Sequence, residues 1–119
     1  MEQEDSTYNN LDNFLNSNFS ILTHIGLNLN NKQTHIEQII NLNSTLKKCE
    51  QMQSLNLNLD NTGIYEDKLE KLLINLLQSQ NLAKISLNLN ENQIKSQVVW
   101  ILAKFLQNYM NIAELSIYL

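Results

Sequence analysis

The sequence predicts an α/β fold, in which parallel strands alternate with helices and the units stack into a right-handed solenoid. Two observations predict it: a short strand-like motif recurs every thirty residues, and between its copies the apolar residues take the spacing of a helix. A fixed period of this length is the usual signature of a repeat protein, in which each unit packs on its neighbours. The length of 119 residues fits one such domain.

The repeated motif has apolar residues at its first, fourth, sixth and eighth positions. The four copies begin at Leu22, Met52, Leu82 and Ile112, so each step is thirty residues without a gap. The last three apolar positions alternate with polar ones, as in a strand that has one buried face. The inward positions of the four strands are Ile25, Leu27 and Leu29, then Leu55, Leu57 and Leu59, then Ile85, Leu87 and Leu89, and last Leu115, Ile117 and Leu119. Four parallel strands are therefore expected.

A helix is predicted between each pair of strands. In the second interval four leucines recur at spacings of three and four, which places them on one helix face. They are Leu69, Leu72, Leu73 and Leu76, with Ile39, Leu42, Asn43 and Leu46 thirty residues earlier and Val99, Leu102, Ala103 and Leu106 thirty later. Parallel strands joined by helices need a crossover of one hand, and that hand is almost always right. Strands are therefore expected on the concave side of the solenoid and helices on the convex side.

The L-x-x-L-x-L-x-L series over residues 20–119 resembles the leucine-rich repeat family, and specifically its ribonuclease-inhibitor-like class with a full helix in each repeat. The resemblance implies about three and a half repeats in residues 21–119 and a concave face that binds proteins. The family has a leucine five residues after the third leucine of the motif, where this chain has Lys32, Thr62 and Asn92. We favour a turn shifted by two residues, in which Thr34, Ile64 and Ile94 point inward. That shift leaves open whether the family's ladder of buried asparagines is present.

Residues 1–20 are predicted to form an N-terminal helical cap on the first repeat. Ser6 or Thr7 is the expected N-cap. An approximate helical stripe is formed by Tyr8, Leu11, Phe14, Leu15 and Phe19. No similar segment follows the last strand, so we expect the end near Leu119 to be truncated, covered by a partner or paired with another copy.

Composition argues against several classes of partner. The net charge is −4 and the basic residues form no stripe, so nucleic acid is not expected. The longest apolar run, residues 98–103, is too short to insert in a membrane, and no signal-like segment is found. One cysteine, Cys49, cannot form an internal disulfide, which suggests an intracellular protein, cytoplasmic or cytoskeletal. Abundant asparagine without proline or arginine is typical of an AT-rich genome such as a ciliate's.

No catalytic group is predicted. His24 is expected on a strand, His35 in a turn and Cys49 after a helix, so they do not converge. The pattern places no nucleophile beside a base and no three converging metal ligands. We therefore expect neither an enzyme, nor a metal or other cofactor, nor a small-molecule substrate.

Two surfaces are candidate protein-binding sites. On the concave face the candidates are His24, Asn28, Asn56, Asn58, Ser86, Asn88 and Tyr118. Asn28, Asn58 and Asn88 would stack as a ladder of amides, although compositional bias alone can also fill exposed positions with asparagine. On the third predicted helix Val98, Trp100, Ile101 and Phe105 lie off the expected inward face. Trp100 and Phe105 are the sharpest candidates there, and packing between adjacent helices is the alternative.

The sequence favours a non-catalytic interaction module, a structural or scaffold subunit of a larger intracellular assembly such as a multi-subunit complex. The alternative is a target-recognition or regulatory repeat fragment of a longer protein that carries a separate enzyme domain, such as a kinase or ubiquitin-ligase subunit. Both readings imply protein partners. They differ in which surface is used and in whether an enzyme is attached.

Overall fold

The computed structural model describes residues 5–30, 36–76, 79, 81–92, 97–107 and 112–119. Within these ranges the protein has an α/β fold built on one five-stranded parallel sheet. In chain order the elements are strand β1 (Asp5–Tyr8), helix α1 (Leu11–Leu15), a 3₁₀ turn (Phe19–Ile21), β2 (His24–Asn28), α2 (Ile36–Lys47), β3 (Ser54–Asn58), α3 (Glu66–Leu76), β4 (Lys84–Asn88), α4 (Gln97–Gln107) and β5 (Glu114–Tyr118). Successive strands lie side by side in the sheet.

The register of the sheet follows the thirty-residue period. Ile25 lies opposite Leu55, Leu55 opposite Ile85, and Ile85 opposite Leu115. Equivalent positions of the motif therefore form straight rows across the strands. The prediction of four parallel strands at these positions is confirmed.

One face of the sheet is covered by the helices. Leu57 and Leu87 have no exposed surface, and they belong to one apolar cluster with Leu72 of α3 and Leu46 of α2. The predicted inward positions of α3 are all buried: Leu69, Leu72, Leu73 and Leu76. Leu42, Asn43 and Leu46 are buried in α2, whereas the side chain of Ile39 is outside the described residues. No helix of the described ranges packs on the opposite side of the sheet, which we call the uncovered face.

Helix α4 is rotated relative to the prediction. Val99 is 65% exposed and Leu106 43% exposed, whereas Phe105 is only 4% exposed and lies in the core. Ile101 and Leu102 are partly buried against the same core. The expected inward face of Val99, Ala103 and Leu106 is therefore wrong. The expected positions of Ile101 and Phe105 off that face are wrong as well. The observed rotation buries a phenylalanine where the predicted one would bury an alanine, so it removes more apolar area from water.

The turn of the second repeat agrees with the shift by two residues that we favoured. In the second repeat Leu59 and Ile64 are both fully buried, which confirms the shifted turn there. Thr34 and Ile94 lie outside the described residues. Thr62, which stands where the unshifted pattern has leucine, is buried, and its hydroxyl donates to the carbonyl oxygen of Leu59 at 2.7 Å. A polar residue is tolerated at this position because the backbone of its own turn satisfies it.

The N-terminal segment is only partly helical. Residues Asp5–Tyr8 form β1, which pairs in parallel with β2, so the prediction of a helix over this stretch is wrong. A strand is favoured there because it satisfies backbone groups at the edge of β2 that a helix would leave unpaired. Gly26 permits a close approach, since a Cβ atom at that position would lie 3.0 Å from the Thr7 hydroxyl oxygen.

The short helix α1 covers the beginning of the core. Its N-cap is Asn10, whose side chain accepts a hydrogen bond from the Asn13 amide at 2.7 Å, and not Ser6 or Thr7 as expected. Phe14 has no exposed surface and packs between the rings of Tyr8 and Phe19, with centroid distances of 5.5 and 5.8 Å. These aromatic side chains cover the open side of the first repeat.

Candidate protein-binding surfaces

The uncovered face presents three rows of side chains that cross the sheet. The first row contains His24, Ser54, Lys84 and Glu114, the second Gly26, Asn56, Ser86 and Ser116, and the third Asn28, Asn58, Asn88 and Tyr118. The seven concave-face candidates from the sequence all belong to these rows. The structure therefore brings them onto one surface, and their role in binding stays a prediction.

The first row contains a contact that the sequence analysis missed. His24 Nδ1 lies 2.7 Å from Ser54 Oγ, which brings a hydroxyl beside an imidazole that we did not expect together. The two residues hold the same position in consecutive repeats, and the thirty-residue register alone could have predicted their contact. A hydroxyl and an imidazole at this distance form one hydrogen bond. The tautomer of His24 decides which of the two residues donates it.

The next two residues of this row carry opposite charges. Lys84 Nζ lies 3.6 Å from Glu114 Oε2, and both side chains are more than half exposed. Exposed ion pairs of this kind contribute little to stability. A shallow groove of about 150 Å³ lies here, lined by Ser54, Leu55, Asn56, Lys84, Ile85, Ser86, Glu114 and Ser116. This part of the face offers charge and hydroxyl groups to a partner at little cost in stability.

The asparagine row is engaged with its own turns. The side-chain oxygen of Asn58 accepts a hydrogen bond from the Asp60 amide at 3.0 Å, and that of Asn88 accepts from the Asn90 amide at 3.1 Å. Such local contacts fix a turn directly after a strand. The predicted ladder of amides therefore has a structural role at two of its positions, where each oxygen already accepts one hydrogen bond from its own turn.

Helix α4 has three exposed large apolar side chains, Val99, Trp100 and Leu106, more than any other described element. Trp100 is 68% exposed, and the Lys104 ammonium group lies 5.9 Å from the centre of its ring. Together with neighbouring side chains they form an open groove of about 470 Å³. We call this groove the α4 patch; it is lined by Val99, Trp100, Ala103, Lys104 and Gln107. Phe105, the second candidate on this helix, is excluded from the patch by its burial.

Exposed apolar side chains are concentrated at this end of the sheet. Eight large apolar residues of the described chain are exposed, and five of them lie in or next to α4 and β5. These five are Val99, Trp100, Leu106, Tyr118 and Leu119. Of these, Val99 and Trp100 line one groove, and a contiguous apolar patch usually marks an interaction surface, whereas single exposed apolar residues do not.

Cys49 offers no reactive thiol. Its side chain is buried, and its Sγ donates to the carbonyl oxygen of Thr45 at 3.3 Å. Burial raises the pKa of the Cys49 thiol to about 11, because the thiolate would be poorly solvated. His35, the other scattered candidate, lies outside the described residues.

Other classes of site find no support in the described ranges. Their histidine, cysteine and acidic residues include no group of three that could hold a metal ion. Among the described helices, none has the length and apolar character needed to cross a membrane. Comparison of the chain with protein-family models, with curated proteins and with solved structures finds no match. The geometry of the two surfaces is therefore what supports a functional proposal.

Proposed function

We propose that this chain is a non-catalytic protein–protein interaction module and acts as a structural or scaffold subunit of a larger intracellular assembly. The observation that carries the proposal is the α4 patch, where an exposed tryptophan lies beside a lysine on an apolar helix. Tryptophan is enriched among residues that dominate the energy of interfaces, and an apolar groove around it suits an apolar segment of a partner protein.

The proposed architecture is a right-handed leucine-rich-repeat solenoid, with the uncovered face on its concave side. It is supported by the in-register parallel strands and by the hydrogen bonds of Asn92. The Nδ2 atom of that residue donates to the carbonyl oxygens of Leu59, Leu89 and Asn90 at 2.7, 3.0 and 3.1 Å. An asparagine that joins consecutive turns in this way resembles the asparagine ladder of the family.

The alternative function is target recognition through the uncovered face, as a repeat segment of a longer protein with an enzyme domain. The groove beside Lys84 and Glu114 favours it, because an exposed cation and anion side by side can select a partner by charge. This alternative predicts that substitutions on the uncovered face, and not on α4, abolish binding.

The test is affinity capture with three variants, after circular dichroism has shown that each is folded. Trp100→Ala removes the centre of the α4 patch, and Ile74→Ala is the matched control, because Ile74 is also an exposed apolar residue on a helix. Lys84→Ala tests the uncovered face. We expect a partner, identified by mass spectrometry, to be lost with Trp100→Ala alone.

Direct titration of that purified partner should then change the fluorescence of Trp100, the only tryptophan of the chain. Equal capture by the wild-type chain and by Trp100→Ala would refute the α4 patch. Loss with Lys84→Ala alone would favour target recognition instead.

A further inference from the structure

The shallow groove on the uncovered face crosses the strands between the first and second rows of side chains. Six of its eight lining residues belong to β3 and β4, which both have a neighbouring strand on each side. The serines of these rows leave the space, because their side chains are shorter than those of Asn56 and Lys84 beside them. A volume of about 150 Å³ is small for a small-molecule site, which usually has about 300–1,000 Å³, and favours a surface of another macromolecule.

The polar side chains of the second row are available to a partner. Within the described residues Asn56, Ser86 and Ser116 form no side-chain hydrogen bond with the rest of the chain. In the third row, by contrast, Asn58 and Asn88 accept hydrogen bonds from their own turns. Binding at the groove therefore breaks no internal hydrogen bond of the second row, and its amide and hydroxyl groups can bond to a partner.

Lys84 and Glu114 give the groove a defined order of charge. They are the only lysine and acidic residue in the three rows from β2 to β5. Both side chains are largely exposed and lie side by side on neighbouring strands. A partner that offers an acidic group to Lys84 and a basic group to Glu114 completes an alternating set of four charges, whereas the opposite order brings like charges together.

The spacing of the strands favours a helix as the part of the partner that lies across them. Neighbouring strands are about 4.8 Å apart. Side chains on one face of a helix recur about every 5.4 Å, whereas those on one face of an extended segment recur about every 6.7 Å. Across three strands the mismatch is about 1.2 Å for a helix and about 3.8 Å for an extended segment, so a helix keeps its side chains opposite successive strands.

We propose that this groove binds a helix of a partner protein, which presents an acidic residue to Lys84 and, one turn away, a basic residue to Glu114. The proposal deepens the proposed function, on which it rests, because it gives the interaction module a second surface and names the chemistry of the partner there. The helices cover one face of the sheet and the groove lies on the other. A partner at the α4 patch and a helix in the groove can therefore be bound together, as a scaffold subunit requires.

The first experiment selects such a helix. A phage-displayed library of short alanine-rich helices, randomised along one face, is selected on the whole chain. We expect the selected helices to carry an acidic and a basic residue three or four positions apart, which is the spacing of neighbours on one helix face. Selection of no helix, or of helices without such a pair, would overturn the proposal.

The second experiment tests the contact with Lys84. In a fluorescence anisotropy titration, Lys84→Glu should weaken the selected helix about tenfold or more, because two acidic groups then face each other. Replacement of the acidic residue of the helix by lysine should restore binding to this variant, since residues in direct contact are energetically coupled. Lys71→Glu is the matched control on the exposed side of α3 and should leave the affinity unchanged. Equal weakening by both variants, or absence of rescue, would contradict the proposed contact.

A proline in the middle of the selected peptide distinguishes a helix from an extended segment. Because proline interrupts a helix, this peptide should bind about tenfold more weakly or worse. An unchanged affinity would show that the groove binds an extended peptide, and it would overturn the proposal of a helix.

The outcomes also separate this proposal from the proposed function. If a partner is captured through Trp100 but no helix is selected, the groove alone is overturned. If a selected helix depends on Lys84 while no partner depends on Trp100, the groove is supported and only the role of the α4 patch is overturned.

Discussion

The side-chain oxygen of Asn92 accepts a hydrogen bond from the backbone amide of Thr62, one repeat earlier, at 3.1 Å. The same oxygen accepts from the amide of Ile64 at 3.0 Å. Because its Nδ2 donates to carbonyl oxygens of both turns, one side chain satisfies backbone groups that have no strand or helix partner. The turns of the second and third repeats are thereby fixed to each other.

Asn92→Ala should lower the free energy of unfolding by about 2–4 kcal/mol, since it leaves several part-buried backbone groups without partners. Urea unfolding followed by circular dichroism measures the change. Asn56→Ala is the control, because Asn56 is exposed on the uncovered face and its loss should cost no more than about 0.5 kcal/mol. Equal losses for the two variants would show that the Asn92 contacts contribute nothing.

The assignment of the two faces of β3 is tested by substitutions at two consecutive residues. Leu57→Ala should cost about 2–5 kcal/mol, because the residue is fully buried and a cavity would remain. Asn58→Ser should stay within about 0.5 kcal/mol, since serine can form a similar, weaker contact with its turn. Chemical denaturation of both variants checks this, and comparable losses would mean that the strand faces are assigned the wrong way round.

The rotation of α4 predicts a large loss of stability on truncation of one of its two large aromatic residues and a small loss for the other. Phe105→Ala should destabilise by about 3–5 kcal/mol as a core truncation. Trp100→Ala should change the free energy of unfolding by less than about 1 kcal/mol, because most of the indole is exposed. Thermal unfolding of the two variants decides between this rotation and the one predicted from the repeat, in which both residues lie off the inward face and both losses would be small.

Cys49 should be unreactive in the folded protein. Its pKa of about 11 leaves almost no thiolate at neutral or mildly basic pH, and burial also blocks access. Ellman's reagent should label it only after urea is added. Rapid labelling without denaturant would show that the end of α2 opens readily.

The raised pKa of Cys49 also makes the free energy of unfolding depend on pH in the basic range. The folded pKa lies above the usual value of 9.0, so the folded state holds the proton more tightly than the unfolded state. This contribution is fully present below about pH 9 and is lost as pH rises through 11. Cys49→Ala should flatten that part of a stability profile measured by urea unfolding, and an unchanged slope would contradict it.

The strands were predictable because their signal is local and repeated. Leu55, Leu57 and Leu59 alternate with polar residues, and the thirty-residue step fixes which residues are neighbours in the sheet. The same register implied the contact of His24 with Ser54. The surfaces were less predictable, because exposure depends on how each helix is rotated.

Two parts of the fold could not be predicted for physical reasons. In α4, Val99, Leu102 and Leu106 have the spacing of one helical face. Ile101 and Phe105, the residues that are observed to be buried, fit a helical face equally well, so only three-dimensional packing selects one rotation. Strand β1 has the sequence DSTY, which shows no apolar alternation. It forms because β2 offers a free edge, and a free edge is a property of the assembled sheet.

The order of the strands in the sheet is also their order in the chain, so within the described residues each unit pairs only with the units directly before and after it. The pairing of the strands therefore does not fix the number of repeats in this architecture. Gain or loss of a whole thirty-residue unit would join surfaces that already match, whereas loss of a single residue within a strand would turn the rest of that strand over. Duplication of whole units is thus an evolutionary route open to this chain, and small insertions are tolerated only in the turns.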